Sequence, residues 1–379
     1  MGNSKAGIYI HIPFCVRKCN YCAFLSAPAD ADAREKYVQA LVREIELRAG
    51  ERKGVTIDTV YFGGGTPSIL ETEQIGRILE AVRANYIIED DAEITLEANP
   101  GTLGKTDAEV SAKLTELRSL GITRLSMGVQ SMNDDTLRFL GRIHDSETVR
   151  RDFRLAREAG FDNINLDLII SVPDGRDGLE DAVAIAGLGP EHISCYSLQI
   201  EEGTPFCDMA DRGEITEVDD ETDRDTYHRI CRYLKEQGYE HYEISNFAAD
   251  SYRSRHNSRY WDMSDYIGIG LGASGFENGR RYRNFTEMQE YMRAVEEGRL
   301  PVEEEHINTE HDNISEAVFL GLRRCEGISF SDELKEYYSD VWPEVMGFAE
   351  SGHLLINDDG ICLTEKGIDI SNRIMALFV

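Results

Sequence analysis

The chain has 379 residues, 41% of them hydrophobic and 29% charged, with a formal charge of −30. That length implies one domain of about 200 to 250 residues plus a smaller one. The charge excludes broad electrostatic binding of nucleic acid, and no run approaches the roughly 18 apolar residues of a membrane span, which leaves only peripheral membrane contact.

The N-terminal stretch MGNSKAGIYIHIPFC runs into a strand-like segment without the apolar core or cleavage site of a signal peptide, so the expected location is cytoplasmic. Short β-branched runs then alternate with helix-period segments. The pattern predicts strands over 8–12, 59–62, 93–96, 124–129, 163–170 and 192–198, and helices over 33–48, 71–84, 107–120, 146–159, 178–186 and 219–237. Repeated β–α units imply a parallel sheet with right-handed crossovers. In the fifth strand Asn163, Asn165 and Asp167 alternate with Ile164, Leu166 and Leu168. A polar strand face suits the wet lumen of an incompletely closed barrel better than a sheet covered by helices on both sides. The expected fold is α/β: a partial (β/α)6 barrel over 1–238, a Tyr-, Arg- and Gly-rich connecting segment over 239–300, and a smaller, partly helical, winged-helix-like domain over 301–379. The last domain carries 5 Lys/Arg against 17 Asp/Glu, which makes DNA an unsuitable partner.

Eight cysteines are too few for a disulfide scaffold, yet three of them, Cys15, Cys19 and Cys22, crowd into one loop after the first strand with the spacing C-x3-C-x2-C. Three thiolates can bind three irons of a [4Fe–4S] cube and leave the fourth iron open. A structural zinc site wants four ligands, and no fourth cysteine lies nearby. The run Gly63-Gly64-Gly65 ends the second strand, where backbone must approach a ligand closely or turn tightly, and no Lys-Ser/Thr follows to make it a P-loop. Glu97, Gln130 and Asp167 stand at or near the ends of the next three strands, where (β/α) folds build their sites.

Cys15-x3-Cys19-x-Tyr21-Cys22 after the first strand and Gly63-Gly-Gly-Thr-Pro67 after the second resemble the radical S-adenosylmethionine superfamily. The resemblance implies a [4Fe–4S] cluster whose open iron chelates S-adenosylmethionine, an electron donor for that cluster, and cleavage of the cofactor to a 5′-deoxyadenosyl radical. Over nearly the whole chain it narrows to the coproporphyrinogen III oxidase-like branch and, within it, to the HemW-like haem chaperone group. By that resemblance Tyr9, Gly64 and Glu97 touch the cofactor at the cluster, and Gly65, Thr66, Gln130, Arg142 and Asp167 match positions that hold a second S-adenosylmethionine in the oxidase. The Arg142 guanidinium suits a bidentate carboxylate contact, with a surface ion pair as its plain alternative.

Phe24 stands where the oxidases continue as C-x3-C-x2-C-x-C, and the fourteen residues before Cys15 leave no room for their N-terminal extension. Arg255-His256-Asn257-Ser-Arg-Tyr260-Trp261 matches the HNxxYW motif of the haem chaperone group. Imidazole is a common axial ligand of haem iron, and Arg253, Arg255 and Arg259 form a basic spot suited to propionates. Alternatively His256 and Trp261 lock the loop against the barrel. This chain departs from the group's usual Gly-Leu-Pro-Gly turn at Ser171-Val-Pro-Asp174, where Ser171 and Asp174 tolerate positive φ less well than glycine, and from the group's usual proline at Val16. The resemblance implies a protein that binds the cluster, S-adenosylmethionine and haem and passes haem to acceptor proteins. The alternatives are oxygen-independent decarboxylation of coproporphyrinogen III, another radical modification of a tetrapyrrole, or a methyltransferase that opens haem.

Overall fold

The computed structural model describes residues 5–51, 54–357 and 360–379. Its first half alternates as expected: β1 (Lys5–Ile12), α1 (Ala31–Glu51), β2 (Thr56–Gly64), α2 (Thr72–Asn85), β3 (Ile87–Ala98), α3 (Asp107–Ser119), β4 (Arg124–Gln130), α4 (Asp134–Phe139), α5 (Ser146–Glu158), β5 (Ile164–Ile170), α6 (Gly178–Ala186) and β6 (His192–Ser197). Helix starts carry the caps that free backbone N–H groups require; Thr106 and Glu109 form a reciprocal capping box on α3.

β1 to β6 pair in chain order and all in parallel. With right-handed crossovers, that order puts every intervening helix on one outer face and turns the other face inward, as in a partial barrel and unlike a doubly wound sheet. The residues agree. Ile8, Ile10, Val60, Phe62, Leu96, Leu125, Met127, Leu166 and Leu168 are buried in the core shared with the helices. Their alternating neighbours Tyr61, Glu97, Ser126, Asn165, Asp167 and Ser194 line a cavity on the inner face.

Residues 240–307, where the sequence pattern shows no strand, add six more to the same sheet. β7 (Glu240–Glu243) and β8 (Asn246–Ala248) extend it antiparallel beyond β6, while β9 (Tyr266–Ile269) pairs in parallel with β1 and continues into an antiparallel β10 (Ser274–Glu277), β11 (Arg280–Asn284) and β12 (Val302–Ile307). Their sequences, such as RRYRN and VEEEHI, lack apolar alternation. Cross-strand ion pairs hold them, Arg280–Glu305 at 2.7 Å and Arg283–Glu304 at 2.6 Å. Two helices, α7 (Pro205–Asp211) and α8 (Asp220–Glu236), link β6 to this part, and two more, α9 (Arg255–Trp261) and α10 (Met288–Glu296), lie within it.

The C-terminal part comprises α11 (Glu310–Gly321), α12 (Asp332–Tyr337), α13 (Trp342–Glu350), a two-stranded wing of β13 (Leu354–Ile356) and β14 (Ile361–Leu363), then α14 (Glu365–Ile368) and α15 (Ser371–Met375). Phe330, Tyr338, Val345, Ile374 and Phe378 join it to the main hydrophobic core.

Candidate cluster and cofactor site

The cysteine loop leaves β1 and is held from three sides. His11 Nε2 donates to the Leu25 carbonyl at 3.0 Å; its Nδ1 therefore accepts from the Tyr9 hydroxyl, also at 3.0 Å. Burial lowers the pKa of His11 and keeps this neutral tautomer. From the glycine run, Gly65 N donates to Ile12 O and Thr66 N to Phe14 O. A Cβ on Gly65 would come within 2.6 Å of Phe14 O, and Gly64 adopts φ +112° with the His11 ring 2.5 Å from where its Cβ would stand. The close approach that requires these glycines is thus to the cysteine loop itself. On the third side Asn20 N, Asn20 Nδ2 and Arg17 Nη2 donate to the carbonyls of Leu140, Phe139 and Gly141.

Beneath the loop lies a cavity of about 350 Å³. Cys15, Cys19, Cys22, Gly64, Gly65, Thr66, Glu97, Gln130, Arg142 and Asp167 all line it, so the structure gathers ten of the twelve expected site residues into one chamber. Tyr9 stands behind the wall, its ring 6.2 Å from that of Tyr61. Thr66 Oγ1 donates to Cys15 Sγ at 3.4 Å and Arg142 Nη1 to Cys19 Sγ at 3.3 Å. Such donors favour the thiolate form that iron requires. Among the described residues no three His, Cys, Asp or Glu side chains converge on a single ion. Three thiols from one loop, all facing one cavity, match in number and kind the three protein ligands of a cube with one iron left open.

Arg142 is half-buried, with Nη2 bonded to Asn99 Oδ1 at 2.5 Å and Gly128 O at 2.6 Å, which replaces the surface ion pair considered from sequence. Glu97 accepts from the Tyr61 hydroxyl and Gly64 N, yet burial pushes its pKa up to about 7. Burial likewise raises Asp167, which accepts from Asn165 Nδ2 at 2.7 Å. Gln130 takes φ +69° at an irregularity in the β4–β5 register, a device that re-aims a side chain beside a site. Ser171, where the expected glycine is missing, does adopt positive φ, +58°. Its hydroxyl bonds Asp223.

His256 lies at the opposite end of the lumen. Nδ1 bonds Thr59 Oγ1 at 2.9 Å and Nε2 bonds the Tyr260 hydroxyl at 3.0 Å, with the ring stacked 5.1 Å from Tyr61. Both nitrogens are occupied, the geometry of a residue that locks α9 against the barrel. The basic spot is a correction: Arg253 pairs with Glu240 and Glu326, Arg255 with Glu89 and Asp91, and Arg259 with Asp58, so each guanidinium is already neutralised by an acid of this chain. Sequence reasoning missed Asn99, Arg124, Ser126, Ser194 and Tyr196 in the cavity wall. Extending the two-residue alternation to every strand would have found most of them.

The Radical SAM superfamily model matches residues 9–184, and a HemN C-terminal domain model matches residues 308–370. Heme chaperone HemW of Lactococcus lactis is 33% identical over 380 residues, covering 98% of this chain and 96% of that protein. Heme chaperone HemW of Bacillus subtilis is 33% identical over 380 residues and 98% of both chains. The chain belongs to the HemW family. HemW of Escherichia coli is 37% identical over 298 residues, or 77% of this chain and 76% of that one. The superfamily that HemW proteins share implies a [4Fe–4S] cluster and S-adenosylmethionine. Among solved structures, coproporphyrinogen III oxidase (HemN) from Escherichia coli has the same fold, with a TM-score of 0.85 at 24% identity over 99% of this HemW-family chain and 90% of that chain. Among the described residues no helix is long and apolar enough to cross a membrane.

Proposed function

We propose that this chain binds haem and passes it to acceptor proteins, carrying a [4Fe–4S] cluster on Cys15, Cys19 and Cys22 with S-adenosylmethionine at the open iron. The observation that carries this reading is likeness to proteins named haem chaperones along 96% to 98% of their length. When bound, the cluster supplies a low-potential electron at a cofactor-accessible iron. Thr66 and Arg142 hold two of its sulfurs, His11 fixes the loop that presents them, and Glu97 with Gly64 offers paired polar atoms to the cofactor beside it. Gln130, Arg142 and Asp167 form the facing wall.

A cavity of about 350 Å³ sits at the low end of ligand pockets, enough for a nucleoside cofactor and not also for a tetrapyrrole macrocycle. The tetrapyrrole therefore belongs at the rim. Val16, Phe24, Leu25 and Ile143 are exposed there, Phe24 at 70%, beside Arg17 and Lys18. An apolar edge with cations in an otherwise acidic protein suits a flat macrocycle with propionates. His256 contributes by holding the lumen floor. The reading requires a reductant for the cluster and haem-accepting proteins as partners.

The shared fold with the HemN oxidase favours a second reading, radical decarboxylation of coproporphyrinogen III. Anaerobic reconstitution of the cluster, followed by haem in one sample and coproporphyrinogen III with S-adenosylmethionine and reductant in another, separates them. The chaperone reading expects a Soret band from bound haem and no protoporphyrinogen IX. Turnover to protoporphyrinogen IX would replace it with the oxidase.

A further inference from the structure

Arg124 opens β4 and is 1% exposed, yet its side chain lines the lumen. Its Nε and Nη1 have no hydrogen-bond partner. Buried charged donors left unmet are among the costliest defects a fold can carry, so a group outside the described chain is expected to meet them. The acids near Arg124 are committed elsewhere. Glu97 serves Tyr61 and Gly64, Asp167 serves Asn165, and Glu93 accepts the backbone N–H groups of Arg255 and His256. Glu243 serves Ser245 and Asn246 and faces Arg323 at 3.6 Å. The neutral acceptors are also taken, His192 by Asn165 and Tyr242, and His256 by Thr59 and Tyr260.

Glu97 and Asp167 still lie within the field of Arg124, which works against the upward push of burial on both. That field offsets charge at a distance but satisfies no N–H. β4 runs seven residues from Arg124 to Gln130, about 20 Å at the usual strand rise, so Arg124 stands at the far end of the lumen from the cysteine loop. Ser126 and Asn257 line the cavity with it.

We propose that Arg124 is the receptor for a carboxylate of the ligand that fills the lumen. A guanidinium fork matches that group in shape and charge, and the depth of the site makes this carboxylate distinct from whatever binds at the cluster. Two ligands bring such a group: a second S-adenosylmethionine through its amino-acid end, or a tetrapyrrole through a propionate, which would draw the macrocycle from the rim into the lumen in the cofactor's place. The tetrapyrrole arm rests on the haem reading above but replaces its rim placement; the cofactor arm does not rest on it.

The test is anaerobic calorimetry on the cluster-loaded full chain, wild type, Arg124→Gln and Arg124→Lys. The probes are S-adenosylmethionine against its decarboxylated analogue, and haem against haem dimethyl ester. Arg124→Gln should weaken one of the two acids by about 10- to 100-fold while binding the matching carboxylate-free probe as wild type does. A loss confined to S-adenosylmethionine assigns the site to the cofactor, and a loss confined to haem assigns it to the propionate. Equal binding of both acids by all three proteins means that water alone meets Arg124, and overturns the proposal. Should Arg124→Gln fail to fold, Arg124→Lys supplies the same comparison, since an ammonium keeps the charge but lacks the fork. Wild-type chain that binds no haem sinks the haem reading and leaves the cofactor arm intact.

Discussion

Burial holds the pKa of His256 down to about 3, with Arg259 and Arg124 adding to the effect. The unfolded chain takes up a proton on this ring near pH 6.5 that the folded chain refuses until about pH 3. Its contribution to stability is complete above pH 6.5 and is lost as pH falls, at about 1.4 kcal/mol per unit across that window. His11, His144, His192 and His241 are lowered as well, so the whole protein has a steeper slope. His256→Gln should remove one proton's share of that slope in urea titrations at a series of pH values; an unchanged slope would mean that His256 titrates freely. Arg142 invites a different measurement, because it couples Cys19 to Asn99 and Gly128. Arg142→Met should lower cluster retention about 10- to 100-fold, read as iron remaining per chain after challenge with a chelator. Retention equal to wild type would make the sulfur contact incidental. At this scale the cysteines were legible because their spacing is local, whereas Arg124 and Asn99 were not. A single polar residue in a strand carries no sign of what five other strands present opposite it.

Among the elements, β1 to β6 and their helices were legible because each strand has one apolar face and each helix a period that matches the core it covers. β9 to β12 were not, since their cohesion comes from edge pairing and from one buried polar junction rather than from pattern. Glu44 on α1 is fully buried and accepts from Arg48, Asn284 Nδ2, Gly270 N and the Tyr291 hydroxyl, tying α1 to α10, β11 and the end of β9. Tyr37 adds a second tie from α1, donating to His11 O and accepting from Leu271 N. Glu44→Ala leaves the Arg48 guanidinium buried beside Asn284 without its anion and should cost about 3 to 5 kcal/mol, seen as a lower urea midpoint. A loss under about 1 kcal/mol would show that the added strands dock by other means. The same junction bears on the site, because β9 pairs with β1, from which the cysteine loop departs.

At the scale of the whole molecule, β1 to β6 form a one-sided β–α sheet whose strand order was legible from right-handed crossovers and whose polar inner face was legible from Asn165 and Asp167 alone. Where a tetrapyrrole would sit was not legible. The HNxxYW segment reads as an iron ligand when residue types are taken singly, but in three dimensions its histidine bonds Thr59 at the base of β2 and its arginines are matched by acids from β2, β3, β7 and the loop before α12. The proposed haem contact then lies at the opposite end, around Phe24 and the cysteine loop. Transfer from the haem-loaded, cluster-bearing chain to an apo-haemoprotein, followed anaerobically through the Soret band, tests that account most directly. Delivery predicts that the acceptor's spectrum grows as the donor's declines, with the tetrapyrrole chemically unchanged. Haem that stays on the chain, or that is recovered opened or modified, would contradict it.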